Sequence, residues 1–402
     1  MAAHPPRIRW RLPILVGAVL VLLVGMWGGL LRLGWPWPTV GASGAVAYHG
    51  ALMVGGFLGT LISLERAVAL GRWWTYGSPL AAALGAICLL AGLPLIWGQL
   101  LLLIASAVLV AVFVLIVRQQ PAMFTVTMGL AAAAWAVGNA LWLAGQPIPI
   151  AAPWWVAFLV LTIVGERLEL SRFLQRSPGR QGVFIVAAGL YLLGVLLGLR
   201  WPGLGWATAG LGMLAMSVWL AVYDLARRTV RQRGLTRFVA ACLLSGYFWL
   251  AVGGCLAVYH VAIAPMMHGT NGSWLTIAPM AGPVYDAILH AVLLGFVFAM
   301  IFGHAPIIFP AVLGVQMDYR PRFYAHLALL EVSVAMRLMG DLASWWGVRR
   351  WAGLLSAAAI VLFLLQTFAS VRRREPEQRR SSLDRPAGSV SLAVTVISPK
   401  RS

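Results

Sequence analysis

The sequence predicts an all-α polytopic bundle of about twelve membrane-spanning helices, and three observations carry that expectation. Of 402 residues, 61% are hydrophobic and only 10% charged, whereas a soluble chain carries roughly a quarter charged residues. Mean hydropathy is +0.87. Apolar runs of about 20 residues, long enough to cross a bilayer as helix, recur along the chain. Together these exclude a water-soluble enzyme, a disordered tail protein and a disulfide scaffold. The expected organisation is a transmembrane bundle over residues 1–371, followed by a basic, disordered cytoplasmic tail over 372–402.

The spans fall at about 13–34, 44–64, 77–97, 99–118, 122–145, 150–165, 182–199, 202–223, 236–262, 283–308, 321–345 and 351–371. The first is long for a signal-peptide core and lacks a clear small-residue cleavage site, so it reads as a retained span. Orientation follows from arginine asymmetry. With the N-terminus inside, the inner segments and span ends hold 25 of the 30 basic residues, the outer ones hold four (Arg32, Arg200, Arg349, Arg350), and Arg337 falls within a span. That imbalance favours both termini in the cytoplasm of a bacterial inner membrane. The net charge of +19 therefore belongs to loops facing lipid headgroups and not to a nucleic-acid surface.

Tryptophans cluster near span ends, as in Trp35, Trp37, Trp154, Trp155, Trp345 and Trp346, where aromatic belts form. The 43 glycines suit either close helix packing or the approach of a flat macrocycle. Cys88, Cys242 and Cys255 lie in apolar runs without obvious pairing and read as buried structural thiols. One weak internal echo stands out: GTLISLERAVALGR (59–72) and LTIVGERLELSRF (161–173) each place Glu-Arg at the inner end of a span. It is either the trace of a duplication or two helix ends with local ion pairs.

Ionisable groups are expensive inside a membrane and mark candidate functional positions. By topology, His49, His260 and His290 share an outer layer, with His268 in the adjoining outer loop. His304 and His326 share an inner one. His290 and His304 are fourteen residues apart; on an unbroken α-helix they stand within roughly 40° of one face and about 21 Å apart. That spacing carries two imidazoles to two membrane depths. Neutral imidazole binds iron, copper and zinc well, so these histidines are candidate metal ligands; each could instead be a core histidine bonded to a carbonyl. His268 follows Met266 and Met267, a run that could hold copper(I) softly or simply be loop.

Among the acids, Asp286 precedes His290 by one helical turn, so it could orient that ring through its second nitrogen. Arg337 and Asp341 are spaced to pair on one helix face. Glu331 has no well-spaced cation on its own span and is, with Asp286, a candidate proton carrier; a bond to a polar residue of another span is the alternative. The chain has no Gly-rich phosphate loop, CxxC or HExxH metal motif, nor any CxxCH attachment site, so a haem here would be noncovalent.

Two stretches carry a family resemblance. His49 to Phe57 has the form H-x-x-x-M-x-x-G-F, with Met53 one turn after the histidine. His290 to Gly303 has the form H-A-x-x-L-G-x-x-x-x-M-x-x-G. Both resemble the NnrS family of polytopic membrane proteins, described as binding haem and copper and linked to nitric oxide tolerance, with a more distant likeness to the membrane subunit of haem-copper oxidases. The resemblance implies haem or copper at His49 and His290, with Met53 alongside; His260, placed in the same layer by topology, is a further candidate for binding the cofactor. It also implies association with respiratory or denitrification proteins. No His-x-His pair or His-Pro-Glu-Val-Tyr-like run is present, so an oxygen-reducing centre is not expected. The competing expectations are a proton-coupled secondary transporter and an assembly factor for a respiratory complex.

Overall fold

A computed structural model describes residues 11–39, 41, 43–171, 177–263, 281–313 and 315–372. Among them are twelve helices long and apolar enough to span a membrane: α1 (Arg11–Arg32), α2 (His49–Leu70), α3 (Trp73–Leu90), α4 (Leu95–Gln119), α5 (Met123–Leu143), α6 (Ile148–Leu170), α7 (Pro178–Leu197), α8 (Pro202–Tyr223), α9 (Gly234–Val261), α10 (Pro283–Pro310), α11 (Phe323–Leu342) and α12 (Trp346–Phe368). The predicted all-α polytopic bundle is therefore what the chain forms. The basic tail after Arg372 lies outside the described residues.

The helices begin and end where local chemistry dictates. α6, α7, α8 and α10 carry Pro in the first turn, where a missing N–H costs nothing. α2 stops at Gly71, whose φ of +66° is the left-handed cap conformation that glycine adopts freely. Outward faces are apolar. On α1, Leu12, Val16, Leu20 and Leu23 are all exposed, a stripe suited to lipid and unfavourable in water.

Sequence neighbours pack side by side, and α1 meets α12 to close the array. Three helices occupy its centre. Within their most apolar windows, 67% of α2, 78% of α6 and 72% of α10 is buried, against 28–56% for the other nine. These three are the second, sixth and tenth, and each carries a phenylalanine in related register. Phe57 lies eight residues after His49 and eight before Glu65; Phe158 lies eight before Glu166; Phe298 lies eight after His290. Phe57 and Phe298 stack, with ring centroids 6.3 Å apart and planes at 22°.

Two central helices are not α-helical throughout. α2 becomes π-helical over Leu52–Gly59 and α10 over Ala291–Phe298, each run beginning within three residues of its histidine. Wide π turns of this kind recur at functional sites. They also break the assumption behind the fourteen-residue spacing, since rotation and rise between His290 and His304 are not those of a continuous α-helix.

The echoed Glu-Arg pairs meet in space. Arg66 of α2 donates to Glu166 of α6 and stands 3.3 Å from Glu65. Arg167 and Asp224 form a bidentate pair with both contacts at 3.0 Å. Because these charges are matched, α2 and α6 run on to Leu70 and Leu170, past the ends that hydropathy suggested. A short antiparallel pairing, Gln316 with Arg372 and Met317 with Val371, ties the link after α10 to the residues after α12.

Candidate functional site

A cavity of about 310 Å³ opens among α1, α2, α6, α10, α11 and α12, and both His49 and His290 line it. His49 opens α2 just after the chain bends at Tyr48. Its ring lies against α1, at a place only glycine permits. A Cβ on Gly29 would stand 2.8 Å from His49 Cε1, and one on Gly25 would stand 3.0 Å from Met53 Sδ. Gly25 and Gly29 thus clear one face of α1 for the histidine and the thioether of α2.

Hydrogen bonding fixes the tautomers. His49 Nδ1 lies 2.7 Å from the Gly25 carbonyl, and His290 Nδ1 lies 2.8 Å from the Asp286 carbonyl. A carbonyl only accepts, so Nδ1–H donates in both rings. Nε2 then carries the free lone pair of a neutral imidazole. A second-nitrogen bond of this type is the usual way a protein prepares a histidine for a metal.

Asp286 does stand at the second ring nitrogen of His290, and its backbone adds to the contact. It orients His290 through its backbone carbonyl, while its carboxylate, 3.3 Å from His290 Nδ1, is also held by arginines. Arg337 Nε donates to it at 2.9 Å and Arg349 approaches at 3.2 Å. The two kinds of contact use different oxygens, Oδ1 facing His290 and Oδ2 the guanidiniums, so the carboxylate meets the ring and the arginines at once. Asp341 completes the set, 3.4 Å from Arg337 and 2.7 Å from Arg349. Arg32 also lines the cavity and donates to the Val46 carbonyl. Arg350 lies 4.3 Å from the centroid of the Trp35 ring.

Beyond this rim a second hollow of about 290 Å³ is lined by Arg32, Arg349 and Arg350 with Trp346. It shares Arg32, Leu33 and Arg349 with the first. Four arginines against Asp286 and Asp341 leave this end of the bundle cationic. The deeper walls are apolar, including Met26, Leu30, Trp155, Leu294 and Phe298. The arrangement offers two unprotonated imidazole nitrogens and one thioether on an apolar floor under a cationic mouth. It suits a flat apolar group bearing carboxylates.

The other sequence candidates are elsewhere. His260 sits in a π-helical turn, Tyr259–Ile263, and does not line the cavity. His268 lies outside the described residues. His304 and His326 do not share a site. His304 donates from Nδ1 to the Met300 carbonyl at 2.7 Å and lines a separate cavity. His326 is bonded to Gln366 at 2.8 Å and enclosed by Phe238, Phe302, Phe323 and Phe363. Glu331 accepts from Trp249 Nε1, and its other oxygen is buried without a partner. Among the described residues no group of three or more His, Cys, Asp or Glu side chains converges to hold a metal ion.

Residues 11–372 match one family model, described as a domain of unknown function, DUF8744. The chain belongs to the DUF8744 family. No curated protein matches it. The matched stretch takes in all twelve helices and every residue lining the His49–His290 cavity, so this DUF8744 domain is the whole bundle and its site together. Sequence reasoning missed Gly25, Gly29, Arg32 and Arg349 as parts of that site. The one available signal was the i, i+4 spacing of the two glycines, which puts them on one face of α1.

Proposed function

We propose that this DUF8744 protein is a haem-binding membrane protein whose prosthetic group is held by His49 and His290 in the cavity they line. The observation that carries the reading is the pair of imidazoles, each with Nδ1–H committed to a carbonyl and Nε2 free, bordering one cavity from two helices. Protein side chains need supply only one or two ligands to a haem, since the macrocycle provides the rest. A bare copper ion ordinarily needs three or more, and no cluster of three among His, Cys, Asp and Glu is available in the described residues. Copper held by His49, His290 and Met53 alone is the narrower alternative, favoured by the Met53 thioether beside His49.

The residues present fit the group at both ends. Arg32, Arg337 and Arg349 would receive its carboxylates, and Met26, Trp155 and Phe298 would face its apolar ring. Haem held by both imidazoles would supply electron transfer; a small diatomic ligand such as nitric oxide would bind only where one of the two imidazoles left the iron. The chain's own residues fix the two imidazole tautomers, exclude water with apolar walls and place positive charge at the mouth. The cationic end of the bundle is proposed to face the periplasm of a bacterial inner membrane, with both termini inside. Nitrosative-stress or respiratory partners are proposed on the same footing as the NnrS resemblance.

The test is the visible spectrum and metal content of protein purified in mild detergent from haem-replete, copper-supplemented cells. The reading expects a haem Soret band and near-stoichiometric iron. A colourless, iron-free preparation overturns it, and copper without iron transfers the site to the alternative.

A further inference from the structure

We propose that Glu65, Arg66, Glu166 and His304 form a proton-binding site, lodged between the three central helices at the end of the bundle opposite the His49–His290 cavity. This inference stands apart from the haem reading and needs no cofactor.

Its setting is a cavity of about 80 Å³ lined only by residues of α2, α6 and α10, with Glu65, Thr162, Glu166 and His304 as the polar lining. One water needs about 10–15 Å³ of such space, so several fit. Leu58 borders both this cavity and the one holding His49. The stacked rings of Phe57 and Phe298 lie in the same apolar layer, which separates the two sites.

Charge counting within the cluster identifies the ligand. Arg66 serves both carboxylates, close to Glu65 at 3.3 Å and donating to Glu166. Two carboxylates against one guanidinium leave one negative charge in excess. The neighbouring Arg167 is within electrostatic reach of Glu166 and His304, but its own charge is already matched by a carboxylate. It makes a bidentate pair with Asp224, which also accepts from Ser171 at 3.0 Å and from the Ala226 backbone at 2.7 Å. Tyr247 faces Arg167 from α9 and brings no positive charge. Glu169, half-buried and within electrostatic reach of Arg66 and Glu166, adds a further carboxylate. From α10 only His304 faces the cluster with a titratable group.

Three polar atoms there also lack partners. Thr162 is 2% exposed and its Oγ1 has none; neither have His304 Nε2 and Arg66 Nε. Thr162 and His304 line the cavity itself. Buried polar groups are bonded as a rule, so these atoms point to water and an exchangeable proton inside. A hard metal cation would need about six oxygen ligands, and this lining, with its carboxylates already shared with Arg66, does not supply them. A proton cancels the excess charge without a cage: it binds a carboxylate oxygen of the Glu65–Glu166 pair or the bare Nε2 of His304, through water.

The test is infrared difference spectroscopy of the full chain in detergent, titrated with pH in H2O and D2O, reading neutral-carboxyl and imidazole bands together. The expected result is a single deuterium-sensitive protonation step. Its proton affinity should move about tenfold or more, one pH unit, in Glu166→Gln and in His304→Gln. It should stay in place in Glu331→Gln, which alters a carboxyl outside the cluster, bonded to Trp249. Should a charge-removing variant fail to fold, Thr162→Val keeps every charge and is expected to move the same step by a smaller amount. A step that ignores all these substitutions, or no step at all, overturns the proposal. So does a step abolished by sodium or potassium at fixed pH, which assigns the cavity to a metal cation.

Discussion

Replacing Gly29 with alanine probes the histidine site without touching either histidine. The added Cβ would stand 2.8 Å from His49 Cε1 and 3.0 Å from Nδ1, well inside van der Waals contact. The ring must turn away, or α1 must back off from α2. Turning breaks the 2.7 Å bond to Gly25, worth about 0.5–1.5 kcal/mol net, while the crowding costs roughly 1–3 kcal/mol. Together that is about 1.5–4.5 kcal/mol taken from the liganded state. At roughly 1.4 kcal/mol per decade, haem affinity should fall about 10-fold to 1,600-fold. The assay is haemin titration of the purified apo-protein, read by absorbance, with a thermal melt of each sample. Gly17→Ala is the control, because a Cβ there meets nothing within 4 Å. If Gly29→Ala binds haemin as tightly as the parent while melting normally, the reasoning that puts His49 at the ligand fails.

Three other perturbations separate the site from the scaffold. Arg167→Ala leaves Asp224, whose side chain is 1% exposed, without its counter-charge, and breaking a buried pair this way costs about 3–5 kcal/mol. The melting temperature should drop sharply, while Arg118→Ala at an exposed helix end should leave it nearly unchanged; equal melting of the two variants would contradict the buried pairing. Phe57→Ala and Phe298→Ala should each destabilise by about 3–5 kcal/mol, and the double variant should reveal a coupling of roughly 0.5–1.5 kcal/mol. Strict additivity would mean the rings do not stack. Arg32→Gln should weaken binding of a free-acid haem by about 1.5–3 kcal/mol and leave the dimethyl ester unaffected; an equal loss for both would show that Arg32 does not meet a carboxylate.

What the sequence made legible follows from how much each feature depends on a single helix. All twelve helices were visible because an apolar run of sufficient length is a property of one segment. The ends of α2 and α6 were set too short because Glu65, Arg66, Glu166 and Arg167 look like solvated charges until their partners across the bundle are known. The shared cavity of His49 and His290 was anticipated from depth and from the two motifs that contain them. Depth alone did not distinguish His260, because direction around the bundle depends on neighbours and on π turns, which hydropathy does not encode. The pairing of His304 with His326 failed for the same reason: one ring faces the central helices, and the other is packed among four phenylalanines. Arg349 was not legible as a site residue, since its contacts with Asp286 and Asp341 require α10, α11 and α12 to be brought together first. Cooperation between residues of different helices was thus the part hidden from a reading of one chain segment at a time.

The most direct measurement compares the absorbance of four purified variants, His49→Ala, His290→Ala, His304→Ala and His326→Ala, each produced in haem-replete cells and normalised to folded protein. If His49 and His290 hold the group together, the first two lose the Soret band and the last two keep it. Colour retained in both His49→Ala and His290→Ala, or lost equally from all four folded variants, contradicts the account.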